Sequence, residues 1–336
     1  MKFWDREKEK KWLKHYLLTE PNAILFVYGP KSSGKTTLLM KVVEELADQD
    51  KFLKEYDVYW YDLRGIVVGS YEDVLNIFFE DAESEALKEV EREFGIGIPN
   101  VATFKVKRKV MEEIKRKEVD AFRYMERRMA YKGKRGIIVF DELQKLKDIY
   151  LNGESQRPLI KELFNFFVRL TKVLHLAHVI VMTSDTFFIE QVYTDSTLEN
   201  TSRFYLVDYF DDETTKKILI SEGISEKDAE HISKEIGGVP WIIEEILESS
   251  EPYVVIENLR KQISSRMFEV LRGKKKLKDL LKRVLNGENL YYLEGEYDEL
   301  RELVEKELLF MDPINKVVKF HTKLHELAAR ELLEVK

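Results

Sequence analysis

Residues 29–36 have the types and spacing needed to bind a polyphosphate. They read Gly-Pro-Lys-Ser-Ser-Gly-Lys-Thr and match the pattern G-x-x-x-x-G-K-[ST]. Glycines let such a loop turn tightly, and its successive N–H groups hold anionic oxygens at the start of the following helix. Lys35 can reach the outer phosphates, and the Thr36 hydroxyl can bind Mg²⁺. We predict that the nucleotide-binding residues are Gly29, Pro30, Lys31, Ser32, Ser33, Gly34, Lys35, Thr36 and Thr37.

A pair of carboxylates follows an apolar segment further along the chain. Residues 137–140 are all apolar, and Asp141 and Glu142 come directly after them. This pattern is typical of a buried parallel strand whose carboxyl end lies at a ligand site. Phosphoryl transfer requires Mg²⁺ held by an acidic residue and an oriented water. We assign the Mg²⁺ role to Asp141, acting through water, and polarisation of the attacking water to Glu142. The alternative is a pair that caps the next helix.

Thr183 and Ser184 end another apolar segment, which begins at His178. A hydroxyl at this place can contact a γ-phosphate or position the water, and it can equally cap the next helix. The six histidines show no metal-ligand spacing, and the chain contains no cysteine. Thiolate metal sites, disulfides and a cysteine nucleophile are therefore excluded.

The segments that position these residues alternate between strand and helix patterns. We predict strands at 24–28, 58–62, 135–142, 178–184 and 203–207. Predicted helices cover 3–18 with Asp5 as N-cap, 37–46, 71–132 with a break from Gly95 to Pro99, and 158–174. This alternation predicts a parallel α/β sheet.

The remainder of the chain is mainly helical. Three short helices are expected at 213–222, 226–236 and 241–247. Residues 254–336 follow the order helix, helix, helix, β-hairpin, helix, with the hairpin turn at 312–315. This layout suits a winged helix. We therefore predict a P-loop core at 1–208, a helical lid at 209–251 and a winged-helix domain at 252–336.

The amino-acid composition favours a water-soluble protein over a membrane-spanning or secreted one. The chain has 336 residues, of which 35% are charged, with a net charge of −7. Abundant Glu and Lys resemble a hyperthermophile composition. No apolar run approaches the roughly 18 residues of a membrane span, and the N-terminus lacks the apolar core of a signal peptide, so we expect a cytoplasmic protein that does not bind membranes.

Residues 105–135 form a basic segment with thirteen Lys or Arg and five Asp or Glu, a local net charge of +8. One interpretation is a solvated helix whose apolar side packs on the domain. The other is a docking surface for a polyanion or an acidic partner. In the predicted winged helix, by contrast, the recognition helix at 296–306 carries more acidic than basic residues. That excess argues against DNA binding there and favours a protein contact or self-association.

Taken together, these motifs resemble the archaeal P-loop ATPases of the AAA+-like STAND group (signal-transduction ATPases with numerous domains). The resemblance covers most of the chain. It rests on the P-loop, the acidic strand end with Gln144, the Thr183-Ser184 end, Arg203, an N-terminal box Phe3-x-x-Arg6-Glu7-x-Glu9, and Gly238-Val239-Pro240.

The resemblance implies a five-stranded parallel sheet, a small helical lid and a C-terminal winged helix. It also implies that Arg6 and Pro240 flank the adenine and ribose, and that Ser184 acts as a first sensor. Arg203 would sense the γ-phosphate from the same subunit or from a neighbour. Trp4-Asp5 departs from the commoner glycine-containing form of the N-terminal box.

Three functions follow from these residues. The first is a Mg²⁺-dependent ATPase that hydrolyses ATP slowly and acts as a conformational switch. The second is a nucleic-acid-associated ATPase that uses the basic segment or the winged helix. The third is a nucleotide-bound scaffold without turnover. Both carboxylates favour the first, and the absence of an Asn-Lys-x-Asp element favours ATP/ADP over guanine nucleotides.

Overall fold

The computed structural model describes residues 3–49, 51–81, 102, 104–117, 120–151, 157–293 and 295–334. The chain divides into two compact units. The sheet unit contains residues 6–28 and 35–205. The C-terminal unit contains residues 3–5, 29–34 and 206–334.

Helices and strands alternate along most of the sheet unit. Its helices are α1 (Glu7–Leu18), α2 (Lys35–Ala47), α3 (Phe52–Glu55), α4 (Tyr71–Phe78), α5 (Arg108–Lys115), α6 (Ala121–Lys132), α7 (Leu159–Val168) and α8 (Thr186–Thr194). Its strands are β1 (Ile24–Tyr28), β2 (Tyr56–Asp62), β3 (Phe79–Asp81), β4 (Phe104–Val106), β5 (Arg135–Asp141), β6 (Tyr150–Leu151), β7 (Arg157–Pro158), β8 (Ala177–Thr183) and β9 (Ser202–Leu206). A π-helical turn, Arg169–Val173, extends α7.

Five of these strands form one sheet in the order β2-β5-β8-β1-β9. The pairings β2–β5, β5–β8 and β1–β8 are parallel. Every residue of β1 and β8 is buried, as expected for strands covered by helices on both faces. The predicted parallel α/β sheet is therefore confirmed.

The strand register brings the polar strand ends to one edge of the sheet. Tyr28, the last residue of β1, pairs with Thr183 at the end of β8. Asp141, the last residue of β5, pairs with Met182 on one side and with Asp62 on the other. In open α/β sheets ligands bind at this carboxyl edge.

The N-terminal helix begins later than predicted, and Asp5 is not its N-cap. Helix α1 starts at Glu7, and the capping position belongs to Arg6. Both Asp5 (φ 49°) and Arg6 (φ 68°) have left-handed backbone conformations, whereas a capping side chain requires an extended one. Within the C-terminal unit, the Trp4 indole donates a 3.0 Å hydrogen bond to Glu222 Oε1.

The prediction of one helical segment over 71–132 is wrong in part. Strands β3 and β4 pair in parallel within this segment, with Phe79 opposite Phe104. The rings of Phe79 and Phe104 pack edge to face, and Tyr59 of β2 stacks on Phe104 at 4.4 Å. Aromatic packing therefore fixes two three-residue strands that helical spacing does not reveal. The predicted break from Gly95 to Pro99 lies outside the described residues.

Helices α5 and α6 carry most of the basic segment. The apolar side chains of Ile114, Met125 and Met129 are buried. Most of their Lys and Arg side chains are exposed, and some are paired with carboxylates, as in Lys115–Glu72 at 2.7 Å. The described part of this segment therefore has a buried apolar side and a charged outer face.

The C-terminal unit contains two helical groups and a hairpin. Its helices are α9 (Asp212–Ser221), α10 (Glu226–Ile236), α11 (Pro240–Glu248), α12 (Pro252–Leu271), α13 (Lys275–Leu285), α14 (Tyr297–Glu305) and α15 (Lys323–Leu332), and its strands are β10 (Leu309–Asp312) and β11 (Val317–Phe320). The two strands pair antiparallel. The expected order of helices and hairpin is confirmed, with boundaries shifted by one or two residues.

One hydrophobic core joins both parts of this unit. Leu219 of α9 belongs to the same buried cluster as Ile256 of α12 and Leu324 of α15. Phe210 and Gly238 form an isolated antiparallel bridge, with the Phe210 N–H donating to the Gly238 carbonyl at 3.0 Å. No helix in the described ranges combines the length and apolar character that crossing a membrane requires.

Candidate nucleotide site

The phosphate-binding loop has the backbone that its glycines permit. Gly29 has φ 151° and Gly34 has φ 89°, and Ser32 between them is left-handed at φ 59°. A Cβ on Gly29 would lie 2.2 Å from the Val207 carbonyl oxygen. Gly29 is therefore required both by its backbone angle and by the close approach of residue 207.

Lys35 is the first residue of α2 and is only 7% exposed. Burial lowers the pKa of its ammonium group to about 8, and the positive charges of Arg64 and Arg6 act in the same direction. The carboxylates of Glu142 and Asp141 oppose this shift. These influences place Lys35 among the charged groups at the carboxyl edge of the sheet, where an anionic ligand would favour its charged form.

Thr36 and Asp141 meet directly. The Thr36 hydroxyl donates to Asp141 Oδ2 at 2.8 Å. Asp141 is 2% exposed, and burial raises the pKa of its carboxyl group. One hydroxyl and one carboxylate form the oxygen donor set that suits Mg²⁺ when phosphates complete the coordination. Among the described residues no group of three or more His, Cys, Asp or Glu could hold a metal by itself.

Glu142 follows in a strained backbone conformation, at φ 65°. Gln144 Nε2 donates a hydrogen bond to Glu142 Oε2, and the Ser184 hydroxyl lies 3.4 Å from Glu142 Oε1. Within the described structure, the Gln144 Oε1 atom is buried without a hydrogen-bond partner. Non-glycine residues in left-handed conformations occur preferentially at functional sites. Glu142 is thus held by neighbours on two elements and presents its carboxylate beside Ser184.

Arg64 belongs to this group, although no sequence motif predicts it. Its Nη2 atom lies 3.2 Å from Asp141 Oδ2. Its guanidinium also donates two hydrogen bonds to Asp62, from Nε to Oδ1 at 2.9 Å and from Nη2 to Oδ2 at 2.7 Å. The sequence offers one signal for it: Arg64 follows two residues after Asp62, the last residue of a predicted strand.

The family resemblance also assigns Arg203 and Arg6 to the site. The positive charge of Arg6 acts on Lys35, and Arg203 lies on β9. The Ile24 N–H, at the start of β1, donates to the Thr201 carbonyl at 2.8 Å, just before β9. Arg203, near the start of β9, therefore lies close to the first residues of β1, whereas Tyr28 is the last residue of that strand. Arg6 is 6% exposed and donates to Glu9 Oε1 at 2.9 Å.

In the C-terminal unit, the loop of residues 29–34 contacts later parts of the chain. Lys31 Nζ lies 3.0 Å from Glu307 Oε1, and the Tyr209 hydroxyl donates to the Lys31 carbonyl at 2.8 Å. A cavity of about 340 Å³ adjoins Lys31, Tyr209, Trp241 and His321. Pro240, the first residue of α11, directly precedes Trp241. Sequence reasoning did not predict the contacts of Lys31.

One protein family and two individual proteins are similar to this chain in sequence. A family described as an ATPase domain predominantly from Archaea matches residues 3–246. An uncharacterized ATP-binding protein of Methanocaldococcus jannaschii is 38% identical, covering 99% of this chain and 95% of its own. An uncharacterized ATP-binding protein of Pyrococcus abyssi is 32% identical, and 99% of each chain is covered.

Solved structures show the same fold at low sequence identity. The Aeropyrum pernix ORC2 protein in ADPNP and ADP complexes has a TM-score of 0.54 at 10% identity, covering 99% of this chain and 95% of its own. Drosophila ORC bound to DNA has a TM-score of 0.50 at 11% identity, covering 99% and 88%. The fold is therefore that of a P-loop NTPase with AAA+-like neighbours. Since the family match spans most of the chain and these relatives span nearly all of it, the chain belongs to the ATPase domain family found predominantly in Archaea.

Proposed function

We propose that this chain binds Mg·ATP and hydrolyses it slowly to ADP and phosphate. The observation that carries the proposal is the 2.8 Å contact between Thr36 and Asp141, with Lys35 and Glu142 in the same charged group. ATP is the proposed nucleotide because relatives covering the whole chain are named as ATP-binding proteins.

Each residue has a defined task in this proposal. Backbone N–H groups of residues 29–34 would surround the phosphates, and Lys35 would contact the outer ones. Thr36 and Asp141 would hold Mg²⁺, with Asp141 acting through water. The bound ion neutralises charge that develops on the phosphates. Glu142 would accept a proton from the attacking water, and Ser184, which lies 3.4 Å from Glu142, would help to position that water.

The conformational part of the proposal concerns the C-terminal unit. We assign residues 209–251 to a helical lid and 252–336 to a winged helix, as in the STAND group, with Pro240 and Arg6 as contacts for the adenosine. The order of helices around the hairpin β10–β11 supports the winged-helix assignment. The γ-phosphate would favour one conformation and its loss another. Arg203, which is exposed, would then serve a neighbouring subunit.

Protein contact or self-association through the proposed winged helix is favoured over nucleic acid. Acidic residues on α14 already pair with α13 or its start: Glu299 lies 2.6 Å from Lys276, and Glu302 pairs with Lys274. A helix with this charge does not suit phosphate contacts. A salt titration with random duplex DNA tests the alternative, and binding that weakens steeply with salt would support a role for the exposed basic face of α5 and α6.

The test measures bound nucleotide and turnover in parallel for wild type, Lys35→Ala and Glu142→Gln. We expect wild type to bind ATP and hydrolyse it, Lys35→Ala to lose binding, and Glu142→Gln to bind with turnover reduced about 10²-fold or more. Binding without turnover in every variant would indicate the scaffold. The absence of nucleotide binding in wild type would contradict the proposed function.

A further inference from the structure

The arginine beside Asp141 has more hydrogen-bonding capacity than its contacts use. Arg64 is 50% exposed and makes a two-point contact with Asp62 through Nε and Nη2. A single further contact, at 3.2 Å, joins Nη2 to Asp141 Oδ2. No hydrogen bond of its other terminal nitrogen, Nη1, is present in the described part of the chain. Two N–H donors of a guanidinium therefore remain on a side chain that contacts Asp141 and whose charge acts on Lys35.

The position of this guanidinium is fixed by the backbone around it. Asp62 and Asp141 are register partners in β2 and β5. The Leu63 N–H donates to the Asp141 carbonyl at 3.1 Å. Lys145 Nζ donates to the carbonyls of Leu63 and Arg64, at 2.8 and 2.6 Å. The turn that carries Arg64 is thus attached to the strand that carries the acidic pair.

We propose that Arg64 is a γ-phosphate contact supplied by the same chain. With Mg·ATP bound, its guanidinium exchanges Asp141 for the terminal phosphate and keeps its hold on Asp62. With ADP bound, there is no terminal phosphate for it to contact. This inference rests on the proposed function and adds a residue that discriminates between the two nucleotides.

Charge explains why the exchange occurs. Arg64 and the Thr36 hydroxyl share the same oxygen of Asp141. A divalent ion held by Thr36 and Asp141 repels a guanidinium 3.2 Å from that oxygen, whereas the γ-phosphate beside the ion attracts it. The contact with Asp62 limits how far the side chain moves. Arginine suits this task because its planar fork can bind a carboxylate and a phosphate at the same time.

A purely structural role is the alternative, because the contact with Asp62 spans only two residues and could simply hold the turn. The two roles differ in what they do to nucleotide preference. Loss of a residue that only stabilises the turn should weaken ATP and ADP binding equally. Loss of a γ-phosphate contact should weaken binding of the triphosphate alone. Arg169 provides a matched control in the sheet unit. It is 53% exposed and pairs with Glu126 through Nε and Nη2, at 2.5 and 3.0 Å.

The experiment measures the affinity of the full chain for ADPNP and for ADP by calorimetry, with Mg²⁺ at low salt. We expect Arg64→Ala to weaken ADPNP binding about 10-fold and ADP binding less than about 2-fold, since a hydrogen bond to a charged group is worth roughly one such factor. Arg64→Lys should lie between wild type and alanine, because it keeps the charge without the fork. Arg169→Ala should leave both affinities unchanged.

Several outcomes overturn the inference. If Arg64→Ala weakens the affinity for ADPNP and for ADP equally, Arg64 only stabilises the turn. If the affinity for ADPNP is unchanged, Arg64 does not contact the γ-phosphate. If Arg64→Ala does not fold, Arg64→Gln supplies the same comparison with the side-chain length largely retained. A wild-type chain that binds neither nucleotide would refute the proposed function itself. A wild type that binds both, with an unchanged preference in the Arg64 variants, would refute only this inference.

Discussion

The hydroxyl of Thr36 donates a 2.8 Å hydrogen bond to Asp141, although 105 residues separate them in the chain. Thr36 lies in the first turn of α2, and Asp141 ends β5. The two oxygen groups proposed to hold Mg²⁺ are therefore in direct contact, and the fold itself brings them together. This pre-arrangement lowers the cost of assembling a metal site.

Removing the Thr36 hydroxyl should raise the Mg²⁺ requirement. Thr36→Val keeps the shape of the side chain and loses the ligand atom. We expect the Mg²⁺ concentration for half-maximal turnover to rise about 10-fold, in line with the loss of one polar contact to a charged group. Thr194→Val is the control, because its hydroxyl bonds to the Glu190 and Gln191 carbonyls at the end of α8. An unchanged Mg²⁺ titration would show that Thr36 is not a ligand.

Nucleotide affinity should fall at alkaline pH because of Lys35. Its pKa in the nucleotide-free protein is lowered to about 8, so the ammonium group loses its charge above that pH. Phosphates bind the charged form, and affinity should decrease by up to about 10-fold per pH unit above 8. Lys35→Arg stays charged through this range and should show a flat profile. A wild-type profile that is equally flat from pH 7 to 10 would contradict the assignment.

The same shift has the opposite sign for folding stability. Between pH 8 and the ordinary lysine pKa near 10.4, the unfolded chain holds a proton on Lys35 that the native chain has lost. The contribution of Lys35 to the free energy of unfolding therefore rises with pH across that window. Weaker nucleotide binding at pH 9 cannot then be attributed to unfolding caused by Lys35.

Acid should destabilise the sheet unit through His178. This side chain is fully buried, its Nε2 lies 3.1 Å from the Thr19 carbonyl, and burial lowers its pKa to about 4. As pH falls from about 6.5 to 4, the unfolded chain gains a proton that the native chain does not, and stability is lost. The expected loss from this residue is about 3 kcal/mol.

The check is the free energy of unfolding of wild type and His178→Gln at pH 7 and pH 4.5. The variant should lose less stability between the two pH values than wild type does. His231→Gln is the control, because that side chain is 60% exposed. Identical pH dependence in wild type and His178→Gln would rule out His178 as a source of acid sensitivity.

A methyl group at Gly238 should destabilise the C-terminal unit. A Cβ there would lie 1.9 Å from the Phe210 carbonyl oxygen, so the bridge between these residues must open. We expect Gly238→Ala to lower the free energy of unfolding by about 1–3 kcal/mol. Gly65→Ala has no neighbour within 4 Å of the added Cβ and should be nearly neutral. Denaturation of both variants decides whether the bridge is required.

Local motifs explain why much of the candidate site could be predicted from sequence. The loop of residues 29–36 and the pair Asp141-Glu142 each lie within a few consecutive residues and next to an apolar strand pattern. Their meeting follows from the parallel sheet, whose strands end at one edge. The Thr36–Asp141 contact is thus an outcome of topology that the alternation of strands and helices already indicates.

Arg64 and β3–β4 could not be predicted in this way. The pairing of β2 with β5 brings Arg64 to Asp141, and no local sequence pattern predicts which strands pair. The strands β3 and β4 have three residues each, too few to show a period of two among charged helical neighbours. Arg203 was assigned through family resemblance alone, and its position at the amino end of β1 depends on where β9 begins.

The left-handed backbone of Glu142 sets folding stability against the proposed catalytic role of this residue. A glycine at this position would adopt φ 65° without the steric cost of a side chain, and the native fold would gain by it. The carboxylate that we propose to orient the attacking water would then be lost. Under the proposed function, glycine can therefore replace other left-handed residues, such as Lys316 in the hairpin turn, without loss of activity. At residue 142 the same replacement would give a more stable protein that does not hydrolyse ATP.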